Sequence, residues 1–126
     1  MNSKKILLIE DDDDDQEIFQ EAVNQIGEGI DYVLYNNAIK AMQALKEKAI
    51  EPDLIFLDLN MPLMNGQQFL VEIKSQPELE HIPVYVLSTS SHTSSKTVTK
   101  SLGAADFFSK PSSVEELITM IKSVLA

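Results

Sequence analysis

Short runs of apolar, often β-branched residues recur along the chain at Ile6–Ile9, Ile30–Tyr35, Leu54–Leu57, Val84–Leu87 and Ala105–Phe108. Several are nearly continuous in apolar residues, as expected of strands covered on both faces. Between them the apolar spacing becomes helical. Ile18, Phe19, Ala22, Val23 and Ile26 fall on one side of a first helix, with Gly27 placed as its C-cap. Asp14 and Glu17 form a capping-box signature at its start. A second helix runs from about Ala38 to Ala49, with Ile39, Ala41, Met42 and Leu45 as its inner stripe. A third holds Phe69, Leu70 and Ile73 and ends near Pro77, and the last sets Leu117, Ile118, Ile121, Val124 and Leu125 on one side.

The fourth helical segment, about Ser94 to Leu102, differs from the others. It is rich in Ser and Thr, its only large apolar residues are Val98 and Leu102, and it is expected to pack weakly. Strands alternating with helices imply a parallel sheet, right-handed crossovers and helices on both faces, a three-layer α/β/α architecture. The 126 residues suit one domain, with no internal repeat and no Pro/Gly linker to mark a boundary.

Composition narrows the chemistry. Apolar residues at 44% and charged residues at 24% are values of a globular chain and not of a disordered one. The absence of cysteine excludes a disulfide framework, a thiolate metal site and a Cys nucleophile. Ile6–Ile9 is too short for a signal-peptide core or a membrane span, so the chain is read as cytoplasmic. Ten basic against twenty acidic residues give a formal charge of −10, which argues against nucleic acid and anionic membranes as direct partners. The same charge is compatible with cations and with basic protein partners.

In an open parallel sheet, sites form beyond the carboxyl ends of the strands. Glu10 and Asp11 follow the first strand and open an acidic run that ends at Asp15; Asp58 follows the third, Ser88 and Thr89 the fourth, and Lys110 with Pro111 the fifth. Asp12 to Asp15 read as the solvated start of a helix, where acids favour the helix dipole. Glu10 and Asp11 stand earlier, at the strand tip. Carboxylates crowded together raise one another's pKa unless a cation neutralises them. Mg²⁺ suits such an oxygen-rich site and bridges readily to phosphoryl groups. A carboxylate beside it can attack phosphorus to give an acyl phosphate. The metal, an ammonium at Lys110 and a hydroxyl at Ser88 would then neutralise and align the transferred group.

With these residues in place the chain resembles a response-regulator receiver domain of two-component signalling, the CheY-like type. The resemblance rests on Leu-Leu-Ile-Glu-Asp-Asp at the first strand, Leu-Asp-Leu-Asn-Met-Pro-Leu-Met-Asn-Gly around Asp58, Ile-Pro-Val-Tyr-Val-Leu-Ser-Thr, and Phe-Phe-Ser-Lys-Pro. It spans essentially the whole chain. It implies a five-stranded sheet in the order 2-1-3-4-5 and a single receiver domain over residues 1–126 with no output domain. By position it implies Asp58 as phosphoacceptor, Asp11 as direct metal ligand and Glu10 as a ligand through a metal-bound water. The backbone carbonyl of Asn60 would complete the protein ligands for Mg²⁺ or Mn²⁺. Ser88 matches the switch hydroxyl, Phe107 the switch aromatic, and Lys110 the phosphate-contacting lysine, whose bond to Pro111 is often cis in this family. Glu10 replaces the commoner Asp, and Thr89 and Ser90 occupy positions that tune the phosphoryl lifetime.

The resemblance further implies a signalling protein, not an enzyme, that takes up and loses its own phosphoryl group on Asp58. The donor would be a histidine kinase or a histidine phosphotransfer protein. The output would go to an unknown protein target through the α4-β5-α5 face, from a monomer or weak homodimer. The acidic run and the loop after the third strand resemble single-domain regulators paired with phytochrome-like or hybrid kinases. Two other readings stand beside it. A pseudo-receiver would be an interaction module that never takes phosphate. An aspartyl-phosphate phosphatase would need a second Asp two residues after the nucleophile, where this chain has Asn60. Of the smaller signals, His81 and His92 read as loop residues, the Ser/Thr cluster from Ser88 to Thr99 as an active-site loop, and Met61, Met64 and Gly66 as residues fixing the turn after Asp58. Phe107 and Phe108 should face opposite sides of the sheet.

Overall fold

The computed structural model describes residues 4–27, 29–59, 66–88 and 93–125. Strands and helices alternate throughout: β1 (Lys4–Ile9), α1 (Asp13–Ile26), β2 (Ile30–Tyr35), α2 (Ala38–Lys46), β3 (Leu54–Asp58), α3 (Gly66–Ser75), β4 (Val84–Ser88), α4 (Thr93–Ser101), β5 (Asp106–Ser109) and α5 (Val114–Leu125). The strands form one sheet in the order β2-β1-β3-β4-β5. Every pairing is parallel.

Alternation along each strand divides the apolar side chains between two layers. Leu7, Ile9, Ile55, Leu57, Val84 and Val86 pack with Ala41, Met42 and Leu45 of α2 and Phe69, Leu70 and Ile73 of α3. On the other face Ile6, Leu8, Leu54, Phe56 and Leu87 pack with Phe19 and Val23 of α1 and Leu117, Met120 and Ile121 of α5. The central strand β3 is buried at every residue, as its unbroken apolar run requires. Phe107 joins the α2/α3 layer and Phe108 the α1/α5 layer, the alternation expected from their adjacency.

Three local expectations are corrected. The cap of α1 is Asp12, whose side chain accepts from the Asp15 N–H at 3.0 Å, and not the Asp14/Glu17 pair. A run of identical aspartates offers the same cap at several registers, and the buried face of Phe19, Ala22 and Val23 selects among them. Helix α2 stops at Lys46 and not at Ala49, because Lys48 turns into the left-handed region at φ 59° and the Ala49 N–H closes onto the Ala44 carbonyl. Ile39, assigned to the inner stripe of α2, is 47% exposed while Ala38 is buried. Helix α4 packs as thinly as its composition implies: Val98 is exposed, and the side chain it buries among those described is the hydroxyl-bearing Thr99.

Candidate functional site

The register of the sheet gathers the strand-end residues. Ile9 lies beside Leu57 and Asp58 beside Leu87, so Glu10 emerges next to Asp58. Ser88 lies beside Ser109, so Lys110 emerges next to both. Backbone hydrogen bonds carry the sheet one step past its strands: Glu10 N–H to the Tyr35 carbonyl, Leu59 N–H to Leu87 and Lys110 N–H to Ser88. The segment after Asp58 is clamped by Gly66. Its N–H donates to the Leu59 carbonyl at 2.9 Å. A Cβ there would lie 2.7 Å from the Leu59 Cα. Only glycine allows that approach.

Carboxylate oxygens of Glu10, Asp11 and Asp58 come within 4.8 Å of one another. Glu10 and Asp58 are buried, and Asp11 is exposed at the rim. The Lys110 Nζ sits among them, 3.0 Å from Glu10 Oε1 and 3.5 Å from Asp58 Oδ2. Its nearest carboxylate is Asp15, at 2.8 Å. Glu10 is held at both ends: its carbonyl accepts from the Gln16 side chain at 2.7 Å, and its carboxylate accepts from the Asp12 N–H at 3.3 Å. Ser88 is fully buried. Among the described residues no buried side-chain nitrogen or oxygen lacks a hydrogen-bond partner.

The electrostatics match this crowding. Burial, then a hydrogen bond to Asp58 and the charge of Asp58, push the Glu10 carboxyl up to about 8 against the opposing pull of Lys110. Asp11 is also raised, by desolvation first and the Asp58 charge second. For Lys110, burial disfavours the ammonium, but its contacts with Asp15, Glu10 and Asp58 outweigh that and raise its pKa. One ammonium does not neutralise this many carboxylates. A hard, oxygen-rich donor set with surplus negative charge fits a divalent cation of the Mg²⁺ or Mn²⁺ type.

Of the residues singled out from sequence, Glu10, Asp11, Asp58, Ser88 and Lys110 all come to this sheet edge. Phe107 sits lower on β5, packed in the α2/α3 layer. Asn60, Thr89, Ser90, His92, Met61 and Met64 lie outside the described residues. The Lys110–Pro111 bond, cis in many proteins of the resembled type, is trans here. Sequence reasoning missed Asp15, which was assigned to the solvated helix start, and Gln16. Asp15 stands four residues after Asp11 and three after the cap, spacings that place it over the strand tip once the helix register is known.

Residues 6–122 match the family model described as the response regulator receiver domain. The chain belongs to the receiver domain family. Its relatives include the response regulator Rcp1 of Synechocystis, 31% identical over 96% of this chain and 86% of Rcp1. The crystal structure of the Mn²⁺-bound form of Rcp1 superimposes with a TM-score of 0.84, covering 96% of this chain and 91% of that one. The phosphorylated cyanobacterial phytochrome response regulator RcpA gives a TM-score of 0.87 at 35% identity, covering 97% and 91% of the two chains. The chemotaxis response regulator CheY4 of Vibrio cholerae, 23% identical with a TM-score of 0.83 over 98% and 99%, shares the fold. The receiver domain therefore has the CheY-like sheet order, and its acidic cluster is compatible with the metal-bound state seen in Rcp1.

Proposed function

We propose that this receiver domain is a phosphorylation-controlled switch, with Asp58 as the group that takes the phosphoryl. The observation that carries this reading is the convergence of Glu10, Asp11 and Asp58 within 4.8 Å, with the Lys110 ammonium 3.5 Å from Asp58. The donor is a phosphohistidine of a histidine kinase or phosphotransfer protein. An Asp58 carboxylate oxygen attacks phosphorus, the phosphorus–nitrogen bond breaks, and the imidazole leaves and takes a proton from water. Glu10, through water, Asp11, Asp58 and the Asn60 carbonyl would hold Mg²⁺ or Mn²⁺, which when bound supplies neutralisation of phosphoryl oxygens. Glu10 gives up its proton when the metal binds, Lys110 pairs with a phosphoryl oxygen, and the Ser88 hydroxyl donates to another.

The output runs through the α4-β5-α5 face. Ser88 lies two residues beyond Val86 on β4, and Val86 lies beside Phe107. The hydroxyl and the ring thus project from the same face of the sheet. Movement of Ser88 toward the phosphoryl group opens room for Phe107. Helix α4, with Val98 exposed and Thr99 inward, is the least anchored helix and the one best suited to repack. The target is a protein reached in the cytoplasm by a monomer or weak homodimer. Among the described residues no helix is long and apolar enough to cross a membrane. The likeness to RcpA points to a kinase of the phytochrome type as donor.

Incubation with acetyl phosphate and Mg²⁺ should add the mass of one phosphoryl group, and Asp58→Ala should abolish the gain while retaining the fold. Unchanged uptake in that variant overturns the assignment. No uptake in the folded wild type would leave the pseudo-receiver reading, and steady turnover of small phosphate esters the phosphatase reading.

A further inference from the structure

Asp15 stands outside the cluster of Glu10, Asp11 and Asp58, yet it makes the shortest of the three ion pairs of Lys110, 2.8 Å against 3.0 Å to Glu10 and 3.5 Å to Asp58. Its backbone position is fixed, because its own N–H is bound by the cap residue Asp12. Its side chain is released from the usual duty of its position. Three residues after a cap, an acid ordinarily reaches back to the cap's N–H. Here Glu10 Oε2 accepts from the Asp12 N–H, and the Asp15 carboxylate turns to Lys110 instead.

The pair is partly shielded. The Lys110 side chain is 13% exposed and that of Asp15 33%. Beneath them lies a small cavity of about 20 Å³ walled by Ile18, Phe19, Leu87 and Leu117. An ion pair over apolar walls is screened less than one in open water. The ammonium is thus shared between Asp15 of α1 and the Glu10 and Asp58 carboxylates, with Asp15 the nearest of the three.

Resting on the reading of Asp58 as phosphoacceptor, we infer that Asp15 is a positioning residue that competes for the Lys110 ammonium and sets the threshold for its full transfer to the phosphoryl group. A phosphoryl oxygen on Asp58 competes with the Asp15 carboxylate for one ammonium. Phosphoryl binding therefore costs the Asp15–Lys110 pair. The same exchange unties the first turn of α1 from the connection between β5 and α5. No covalent bond changes in this step; one ion pair is replaced by another.

The test is the affinity for beryllofluoride, a phosphoryl mimic, at saturating Mg²⁺ and fixed high ionic strength. Asp15→Asn and Asp15→Ala should bind it more tightly, by roughly twofold to fivefold, the upper range of a partly exposed ion pair. Asp15→Glu, which keeps the carboxylate, should stay near wild type. Asp14→Asn removes the same charge from an exposed neighbour and should change affinity less than about twofold, because its effect is only long-range and screened. Thermal unfolding of each variant shows that the site is intact. Equal affinities in Asp15→Asn and Asp14→Asn, or a weaker Asp15→Asn, overturn the inference. If wild type binds beryllofluoride independently of Asp58, or not at all, the reading of the site falls and the inference with it; wild-type binding lost in Asp58→Ala keeps that reading whatever Asp15 does.

Discussion

Lys74 and Lys110 are both partly buried lysines whose ammonium groups find several oxygen partners, but the kinds of partner differ. Lys74, on α3, donates to the carbonyls of Glu80 and Ile82 at 2.9 Å each, and its stem lies against Gly103. Its partners are dipoles of the main chain, so burial lowers its pKa, with only the Glu80 charge opposing. Lys110 meets three carboxylates, and their charge outweighs its desolvation. The first arrangement ties α3 to the turn that leads into β4. The second is a balance of charges that a new anion can redistribute. A cation among dipoles is structural, and one among excess carboxylates is poised to change partner.

The comparison is sharpened by four measurements. Replacing Lys110 with Met should weaken beryllofluoride binding by roughly ten- to a hundredfold, the worth of a charge-assisted contact, with the fold retained by circular dichroism. Binding within twofold of wild type would deny Lys110 any phosphoryl contact.

The pH dependence of Mg²⁺ affinity comes next. Glu10 titrates near 8 in the metal-free protein and near 4.5 when free of its surroundings. Metal must displace that proton, so affinity should rise up to about tenfold per pH unit between pH 6 and 8, followed by fluorescence or NMR titration. The sign for stability is the reverse. The folded protein keeps a proton that the unfolded chain loses, so metal-free stability falls as pH rises from about 4.5 to about 8, and Asp11 adds in the same direction. Saturating Mg²⁺ should flatten that decline. A flat profile without metal would contradict the crowding described here.

Lys74→Met should cost about 1–2 kcal/mol in urea unfolding by leaving two carbonyls without their donor, while beryllofluoride affinity stays within twofold. A large loss of affinity would erase the distinction between the two lysines. Smallest of all, Lys46→Gln breaks the exposed pair with Glu72 and should change stability by less than about 0.5 kcal/mol.

Much of this was legible in the order of residues. Buried parallel strands announce themselves because both faces are covered, and Leu54–Leu57 has no polar position to confuse the period. The site residues were legible because the fold delivers strand tips to one edge, where Glu10, Asp58, Ser88 and Lys110 each follow an apolar run. Asp15 was not, because in a row of identical aspartates composition carries no phase; only the packing of Phe19 and Val23 decides which carboxylate leans over the sheet. Ile39 misled for a related reason. Next to Ala38 it is the stronger hydrophobe, but the helix turns the smaller residue inward, where α2 approaches the sheet closely.

The clamp between Leu59 and Gly66 has an evolutionary corollary. Because the Gly66 N–H is bound to the Leu59 carbonyl and position 66 has no room for a Cβ, the first turn of α3 is seated directly on the backbone that follows Asp58. A single methyl group at position 66 would therefore be selected against, since it would press on the Leu59 backbone and the Asp58 carbonyl.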